Sequence, residues 1–284
     1  MNLVTKERFR LLFSRACGLV RKYGMLVIYK IQHKPYLFQV EYHVVDHCNL
    51  NCKACTHFSN ISPETYRDIA DFEKDIACLS SKVRIHEFRL MGGEPLLHPD
   101  IIKFLEIARK YLVHSKITLV SNCILLKKMP PEFWKAMREN NIILGPTFYP
   151  PMKKEFENII RLLHENKVEI RYIHMADTFW ARLNRKGTSN AAEAYKSCSD
   201  KICHHLRDGR LHLCPTACYV DYFNARFNAD IPRDTGIDIE KASGDEIVKY
   251  VSTPKEACKY CTSKIKVLDW EQSKCIESEW DGEI

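Results

Sequence analysis

The sequence lacks long apolar segments and a secretory leader pattern. No window reaches 18 uncharged apolar residues, so the sequence predicts no transmembrane helix. Residues 1–24 carry scattered Lys and Arg and show no apolar stretch followed by a small-residue cleavage site, so we expect no signal peptide. Internal repeats are also missing. With 45% hydrophobic and 28% charged residues, the composition excludes disordered and collagen-like chains and is typical of a globular protein.

Neither sign of charge is in large excess. The chain has 43 Lys and Arg against 36 Asp and Glu, a formal net charge of +7. This mild basicity favours an anionic substrate or surface, but it is not a nucleic-acid signature, and we expect no nucleic-acid partner.

Cysteine, by contrast, is abundant, with 13 residues in a chain of 284. Such a chain is either disulfide-rich and secreted or metal-rich and intracellular. Because no signal peptide is expected, we predict a cytoplasmic location and interpret clustered cysteines as metal or iron–sulfur ligands.

Residues 1–34 form a basic extension with apolar side chains at helical spacing. These are Phe9, Leu12, Phe13, Ala16, Leu19 and Val20. One interpretation is a helix packed on the body of the protein. The alternative is a weak contact with a membrane surface or a partner protein.

Predicted strands and helices alternate from residue 39 onward. The predicted strands are Val40–Val45, Glu87–Met91, Lys116–Val120, Asn141–Phe148 and Val168–Ile173. Amphipathic helices are predicted at Ile69–Leu79, Ile101–Leu112, Pro131–Asn140 and Phe156–Leu163. Alternation with short links indicates parallel βαβ units, and five or six units are too few for a closed eight-stranded barrel. The sequence therefore predicts an α/β fold, a partial (β/α)6 TIM-like barrel over residues 35–185.

The alternation stops near Met175, and a cysteine-dense segment follows. We predict a boundary in the polar stretch Asn184–Ala192 and a small iron–sulfur module with a β-hairpin over residues 186–284. The hairpin is indicated by Asp208-Gly209, a strong two-residue turn signal. This turn would place Cys203 opposite Cys214, with Cβ atoms about 4.5–5.5 Å apart, a separation that suits two ligands of one cluster.

The first cysteine cluster follows the first predicted strand. Cys48, Cys52 and Cys55 form a C-x3-C-x2-C pattern. Three thiolates from one loop can hold three irons of a cubane and leave the fourth iron open to a small chelating molecule. A zinc site normally requires a fourth Cys or His, and His57 is close enough in sequence to supply it, so zinc is the alternative.

The second predicted strand ends in Gly92-Gly93-Glu94-Pro95. Two glycines at a strand end let a ligand approach the backbone closely. The neighbouring carboxylate can accept hydrogen bonds from a ligand ammonium group. One strand after the cysteine loop, this turn is a strong signal for the iron–sulfur interpretation.

The cysteine motif and the Gly-Gly-Glu-Pro turn together resemble the radical S-adenosylmethionine (SAM) superfamily. The resemblance implies that Cys48, Cys52 and Cys55 bind a [4Fe-4S] cluster whose open iron is chelated by SAM. It also implies SAM contacts from the segments Gly92–Glu94 and Ser121–Asn122. Three positions depart from the pattern or compensate for it. Cys123 stands where Gly is frequent, Ala54 stands where an aromatic residue often precedes the third Cys, and Phe58 is the candidate to shield the cluster instead.

The chemistry that this resemblance implies is reductive cleavage of SAM to a 5′-deoxyadenosyl radical, which abstracts a hydrogen atom from the substrate. The reducing electron would come from a donor such as flavodoxin or ferredoxin. The pocket is expected at the carboxyl ends of the strands, where all three motifs fall.

The second cysteine set resembles the Twitch module, a shortened form of the SPASM domain of radical SAM enzymes. The resemblance implies one auxiliary [4Fe-4S] cluster with Cys214, Cys258 and Cys261 among its ligands. The fourth ligand is Cys203 by hairpin geometry or Cys198 by the longer spacing of some Twitch modules. A structural zinc ion is the alternative occupant.

Small radical SAM enzymes with such a module include carbohydrate dehydrogenases and epimerases. We therefore expect a small-molecule substrate, a carbohydrate or nucleotide-linked sugar, that loses hydrogen from a carbinol carbon. A peptide-modifying enzyme is the second hypothesis and a zinc-binding interaction protein the third. No residue is assigned as catalytic. Cys218, Cys275 and the unused member of the Cys198/Cys203 pair are candidate hydrogen donors, and epimerisation and dehydrogenation both remain open.

Overall fold

The computed structural model describes residues 34–282, so the predicted extension lies outside the described residues apart from Lys34. The strands are β1 (Tyr36–Val45), β2 (Arg84–Gly92), β3 (Lys116–Ser121), β4 (Ile142–Phe148), β5 (His174–Met175), β6 (Thr178–Leu183), β7 (His204–Arg207), β8 (Arg210–His212), β9 (Ile237–Asp238) and β10 (Cys261–Asp269). The helices are α1 (Ile69–Lys82), α2 (Ile101–Tyr111), α3 (Pro131–Glu139), α4 (Phe156–Glu165), α5 (Ala191–Ser197), α6 (Pro215–Phe227) and α7 (Gly244–Val251).

Eight strands form one sheet in the order β5-β4-β3-β2-β1-β7-β8-β9. The six strands from β5 to β7 in this order are parallel, and β8 and β9 extend the sheet as antiparallel strands. No pairing between the described strands closes the sheet into a full barrel. The predicted α/β class and partial six-unit barrel are therefore confirmed.

The crossover helices bury the outer face of the sheet, and the inner face looks toward a cavity. Nearly every residue of β1 is buried, which is typical of a central parallel strand. On the outer face, Phe72 of α1 and Phe104 of α2 stack with ring centroids 4.9 Å apart. Asp68 caps α1 by accepting from the backbone N–H groups of Ala70 and Asp71. These contacts hold the strand ends in place beneath the loops that carry the motifs.

The fifth strand differs from its prediction. Residues 169–171 do bond to β4, since Leu144 N donates to Glu169 O at 2.8 Å and Arg171 N donates to Leu144 O at 3.0 Å. Tyr172 then adopts a left-handed conformation with φ 55°, which interrupts the ladder before β5 begins at His174.

The predicted hairpin has the expected register, with Leu206 opposite Leu211 and Arg207 opposite Arg210. Asp208 and Gly209 have φ values of 53° and 70°, as a type I′ turn requires. β7 also pairs in parallel with β1, so the hairpin belongs to the main sheet. The predicted division near residue 185 stays a prediction. A separate two-stranded sheet joins β6 and β10. None of the helices within residues 34–282 is long and apolar enough to cross a bilayer.

Candidate active site

The carboxyl ends of β1, β2 and β3 meet around one cavity of about 440 Å³. Its lining includes the predicted ligands and SAM contacts Cys48, Cys52, Cys55, Gly92, Gly93, Ser121 and Asn122. Three motifs that are separated in sequence are thus brought to one place, because parallel strands present all their carboxyl ends at one edge.

The three motif cysteines are buried thiols in a setting that suits a metal cluster. Burial raises the pKa of all three, that of Cys52 to about 12, and the nearby Cys55 thiolate raises it further. Such thiols ionise only when a cation compensates their charge. N–H donors face the sulfurs, with Leu50 N 3.4 Å from Cys48 Sγ and Trp270 Nε1 3.2 Å from Cys52 Sγ.

The spacing of the sulfurs argues against a zinc ion. In tetrahedral zinc sites with Zn–S distances near 2.3 Å, the sulfurs lie about 3.8 Å apart. Within residues 34–282, no three cysteine sulfurs lie within 4.8 Å of one another. His57, the predicted rival ligand, does not join the cysteines. Its ring lies 5.1 Å from that of His43 and 5.4 Å from that of His205.

Close approach of the neighbouring backbone requires glycine at positions 92 and 93. A Cβ on Gly92 would overlap the carbonyl oxygen of Val45, and one on Gly93 would overlap that of His47. Gly93 N donates to Val45 O at 3.0 Å, which ties the strand end to the start of the cysteine loop. The interpretation that the glycines admit a ligand is therefore incomplete. The missing side chains make room for the backbone of the cysteine loop, and both glycines also line the cavity.

Glu94 braces the neighbouring strand end. Its fully buried carboxylate accepts from Ser121 Oγ and Asn122 N, each at 2.8 Å, and from Leu96 N at 3.2 Å. Burial raises its pKa to about 7. Glu94 does not line the cavity, so the structure gives it the role of positioning Ser121 and Asn122. Its direct contact with SAM stays a prediction.

The Ser121–Asn122 turn contacts the cluster loop. Asn122 Nδ2 donates to Asn49 Oδ1 at 2.7 Å and lies 3.7 Å from Cys48 Sγ. The next residue, Cys123, has φ 68°, a conformation that glycine adopts most easily. This explains why Gly is frequent at the corresponding position of the superfamily.

A C-terminal segment that sequence reasoning missed covers the cluster loop. Lys53 N donates to Glu271 O at 3.0 Å, and Ser273 N donates to Asn51 O at 2.8 Å. This pairing places Trp270 against Cys52. Phe58, the predicted shield, lies instead in the core beside Trp280 and outside the cavity lining. No local pattern around Trp270 signals this contact, because it forms only when distant segments pair.

The cavity lining also contains polar side chains besides the motif residues. These include Glu41, Arg89, His174, Asp200 and Cys203. Arg89 Nε lies 2.8 Å from Glu87 Oε1, and its Nη1 lies 3.6 Å from Glu41 Oε1. The alternation of Gln39, Glu41 and His43 along β1 is the sequence signal that could have identified this inner face.

The second cysteine set comes from three segments of the chain. Cys198, Cys214 and Cys261 line one small cavity, and Cys258 joins the latter two around an adjacent one. Burial raises the pKa of Cys214, and the thiolates of Cys261 and Cys198 raise it further. The four thiols therefore line two adjacent small cavities, which share Cys214 and Cys261.

Cys203, the other predicted candidate, does not join that set. The last hairpin pair is His205 with His212, so Cys203 and Cys214 lie beyond the paired residues. The Cys203 thiol lies in the large cavity, where Gln39 Nε2 donates to its sulfur at 3.3 Å. Burial raises its pKa, and the Glu41 carboxylate raises it further.

Comparisons with known proteins agree with this geometry. Residues 42–175 match the model of the radical SAM superfamily. A GTP 3′,8-cyclase of Trichodesmium erythraeum is 30% identical over 106 residues, 36% of this chain and 32% of the cyclase. A GTP 3′,8-cyclase of Clostridium botulinum is 32% identical over 128 residues, 44% of this chain and 39% of the cyclase. The matches therefore span about a third of the length of these curated relatives.

The crystal structure of BtrN in complex with AdoMet and 2-DOIA has a similar fold. Its TM-score is 0.50 at 18% identity, over 80% of this chain and 94% of BtrN. Proteins of the radical SAM superfamily use a [4Fe-4S] cluster and SAM. The superfamily model matches residues 42–175, the segment that carries the cysteine loop and the glycine turn, and this match supports an enzymatic role.

Proposed function

We propose that this protein abstracts a hydrogen atom from a carbinol carbon of a small carbohydrate-type substrate. The observation that carries the proposal is a single cavity lined by two unlike sets of groups. The motif cysteines and the glycine turn line it together with polar groups that include Glu41 and Arg89. A SAM-derived radical and a hydroxylated substrate would meet there.

The bound cluster and SAM would supply the 5′-deoxyadenosyl radical. Cys48, Cys52 and Cys55 would hold the cluster. The backbone at Gly92 and Gly93 and the turn Ser121–Asn122 would orient SAM. Glu94 would keep that turn in place, and Trp270 would cover the Cys52 side of the site.

The size and polarity of the cavity support a small substrate. Pockets of about 300–1,000 Å³ hold small organic ligands, and this cavity of about 440 Å³ must also admit SAM. Arg89 can donate to, and Glu41 can accept from, substrate hydroxyl groups. BtrN, which shares the fold, binds AdoMet and 2-DOIA. A peptide-modifying role is the alternative, and the substrate test below distinguishes it.

Of the two outcomes that the sequence leaves open, Cys203 favours epimerisation. Its thiol faces the cavity, and the raised pKa keeps the S–H bond intact. The substrate carbon radical would take the hydrogen atom of this S–H bond from the opposite face, leaving a Cys203 thiyl radical. One electron and one proton would then restore the thiol. A reduced flavodoxin or ferredoxin is the proposed electron donor.

A second [4Fe-4S] cluster at Cys198, Cys214, Cys258 and Cys261 is part of the proposal. Four thiolates are the usual ligand set of such a cluster. Cys203 precedes the first strand of the β7–β8 hairpin, and Cys214 follows its second strand. This cluster would therefore lie on the route by which an electron reaches the thiyl radical.

The test combines anaerobic reconstitution, dithionite, SAM and a panel of carbohydrates in deuterated water. We expect particular carbohydrates to increase 5′-deoxyadenosine release and to yield an epimer with one solvent deuterium. Cys203→Ala should still release 5′-deoxyadenosine but form no epimer. A product with two hydrogens fewer and no deuterium would show dehydrogenation instead. Stimulation by peptides but by no carbohydrate would favour the alternative.

A further inference from the structure

Three histidine side chains converge beside the cavity, and one of them, His57, belongs to its lining. One ring nitrogen from each of His43, His57 and His205 lies within 4.8 Å of the other two. His43 is 1% exposed and His205 is fully buried. The proposed function uses none of these rings.

The ring nitrogens of this cluster lack partners. Within residues 34–282, His43 Nε2, His57 Nε2 and His205 Nδ1 have no hydrogen-bond partner, although each is shielded from solvent. Buried polar atoms are nearly always satisfied in folded proteins. Three orphaned nitrogens in one place therefore indicate a ligand that accepts their lone pairs.

Carboxylates lie beside two of the rings, and the Asp46 carboxylate forms a hydrogen bond with His43, whereas His205 Nε2 is only in ion-pair range of Glu41. His43 Nδ1 lies 3.1 Å from Asp46 Oδ1, and His205 Nε2 lies 2.6 Å from Glu41 Oε2. A carboxylate that holds the proton on one ring nitrogen leaves the other nitrogen as a lone-pair donor. This is the usual outer environment of metal-bound histidine.

The fold holds the cluster in a rigid frame. β1 carries His43, and its parallel neighbour β7 carries His205, which lies opposite Glu41 in the register. His57 lies in the cysteine loop, and Tyr219 stacks on the His43 ring at 4.1 Å. Strand positions of this kind set ligand geometry more firmly than surface loops do.

We propose that His43, His57 and His205 bind one divalent first-row transition-metal ion, separate from the iron–sulfur ligands. Zinc–imidazole distances of about 2.0–2.1 Å place the nitrogens about 3.3 Å apart, so shifts of less than about 1 Å per nitrogen would complete the site. Arg67 pairs with Asp46, and Arg89 lies near Glu41, so the affinity comes from the imidazoles rather than from unpaired carboxylates. The proposal does not rest on the proposed function.

The test uses the full chain with its cysteines occupied by reconstituted iron–sulfur clusters. After incubation with Zn²⁺ and dialysis, elemental analysis should find about one zinc per chain. His43→Gln and His205→Gln should each lower the zinc content at least five-fold and leave the iron content unchanged. His98→Gln is the matched control, since His98 is also buried but bonds to Arg67 O at 3.1 Å, and it should retain zinc.

X-ray absorption at the zinc edge of the unmodified protein provides a second readout that does not depend on variants. Nitrogen scatterers at about 2.0–2.1 Å without sulfur at about 2.3 Å would support the site. Sulfur coordination, the absence of bound zinc, or full zinc retention in both His→Gln variants would overturn it.

Discussion

The two cysteine regions of this protein are built in opposite ways. Cys48, Cys52 and Cys55 lie within eight residues on one loop that follows β1. Cys198, Cys214 and the pair Cys258 and Cys261 come from three segments spread over 64 residues. The first set is a contiguous motif, whereas the second exists only after the chain has folded.

The difference shows what a local motif specifies and what it leaves to tertiary structure. The first loop is braced from outside, by backbone bonds to Gly93, by Asn122 and by the C-terminal segment around Trp270. In the second set, spacing alone gave two candidates for the fourth position, Cys198 and Cys203. Only the fold separates them by directing Cys203 into the large cavity.

The largest effect should follow loss of a first-loop cysteine. Cys52→Ala should abolish 5′-deoxyadenosine release and lower the iron content from about eight to about four per chain, because three thiolates hold that cluster. Iron analysis and product chromatography measure both. Cys78→Ala is the control, since its thiol lies by Ile239 O, and it should leave both quantities unchanged. Full SAM cleavage by Cys52→Ala would contradict the assignment of Cys52 as a ligand of the first cluster.

The comparison within the second region sets Cys198→Ala against Cys203→Ala. The first change should remove the auxiliary cluster and about four irons, because Cys198 lies with Cys214 and Cys261. The second should leave about eight irons, because its sulfur lies elsewhere. Iron analysis with electron paramagnetic resonance of the reduced protein distinguishes them. The reverse pattern would restore the hairpin prediction for Cys203.

The bracing of the first loop can be tested at Gly93. Gly93→Ala would force a Cβ against the His47 carbonyl, so we expect a loss of about 1–3 kcal/mol in the free energy of unfolding and weaker cluster retention. Gly145→Ala is the control, since its Cβ would come no closer than 3.0 Å to any neighbour, and that nearest atom is a side-chain methyl group of Thr118. Denaturant unfolding measures both variants. Equal effects would show that the first loop does not depend on this close approach.

The smallest effect should follow Trp270→Phe. Loss of the N–H donor to Cys52 Sγ should lower the reduction potential of the first cluster, because that bond stabilises the more negative reduced state. A net hydrogen bond of about 1 kcal/mol corresponds to about 40 mV for a one-electron couple. Spectroscopic redox titration measures the shift. An unchanged reduction potential would show that Trp270 shields the site without tuning the cluster.

The strand–helix alternation was predictable because local periodicity encodes it, and four of the six parallel strands, β1 to β4, were recognised from the sequence. The sixth, β7, was recognised only as one side of a hairpin. A four-residue strand carries no mark of its parallel partner β1, which lies about 160 residues earlier. The sequence around Tyr172 likewise contains no signal for the left-handed conformation that precedes β5.

By itself, the sequence predicted the α/β class and placed Cys48, Cys52 and Cys55 in one short motif, because both depend on neighbouring residues and short periodicities. Only the tertiary structure decided which fourth cysteine joins Cys214, what Glu94 bonds to, and which segment covers Cys52. Those contacts join residues far apart in the chain, and their energies depend on three-dimensional proximity that no local spacing records.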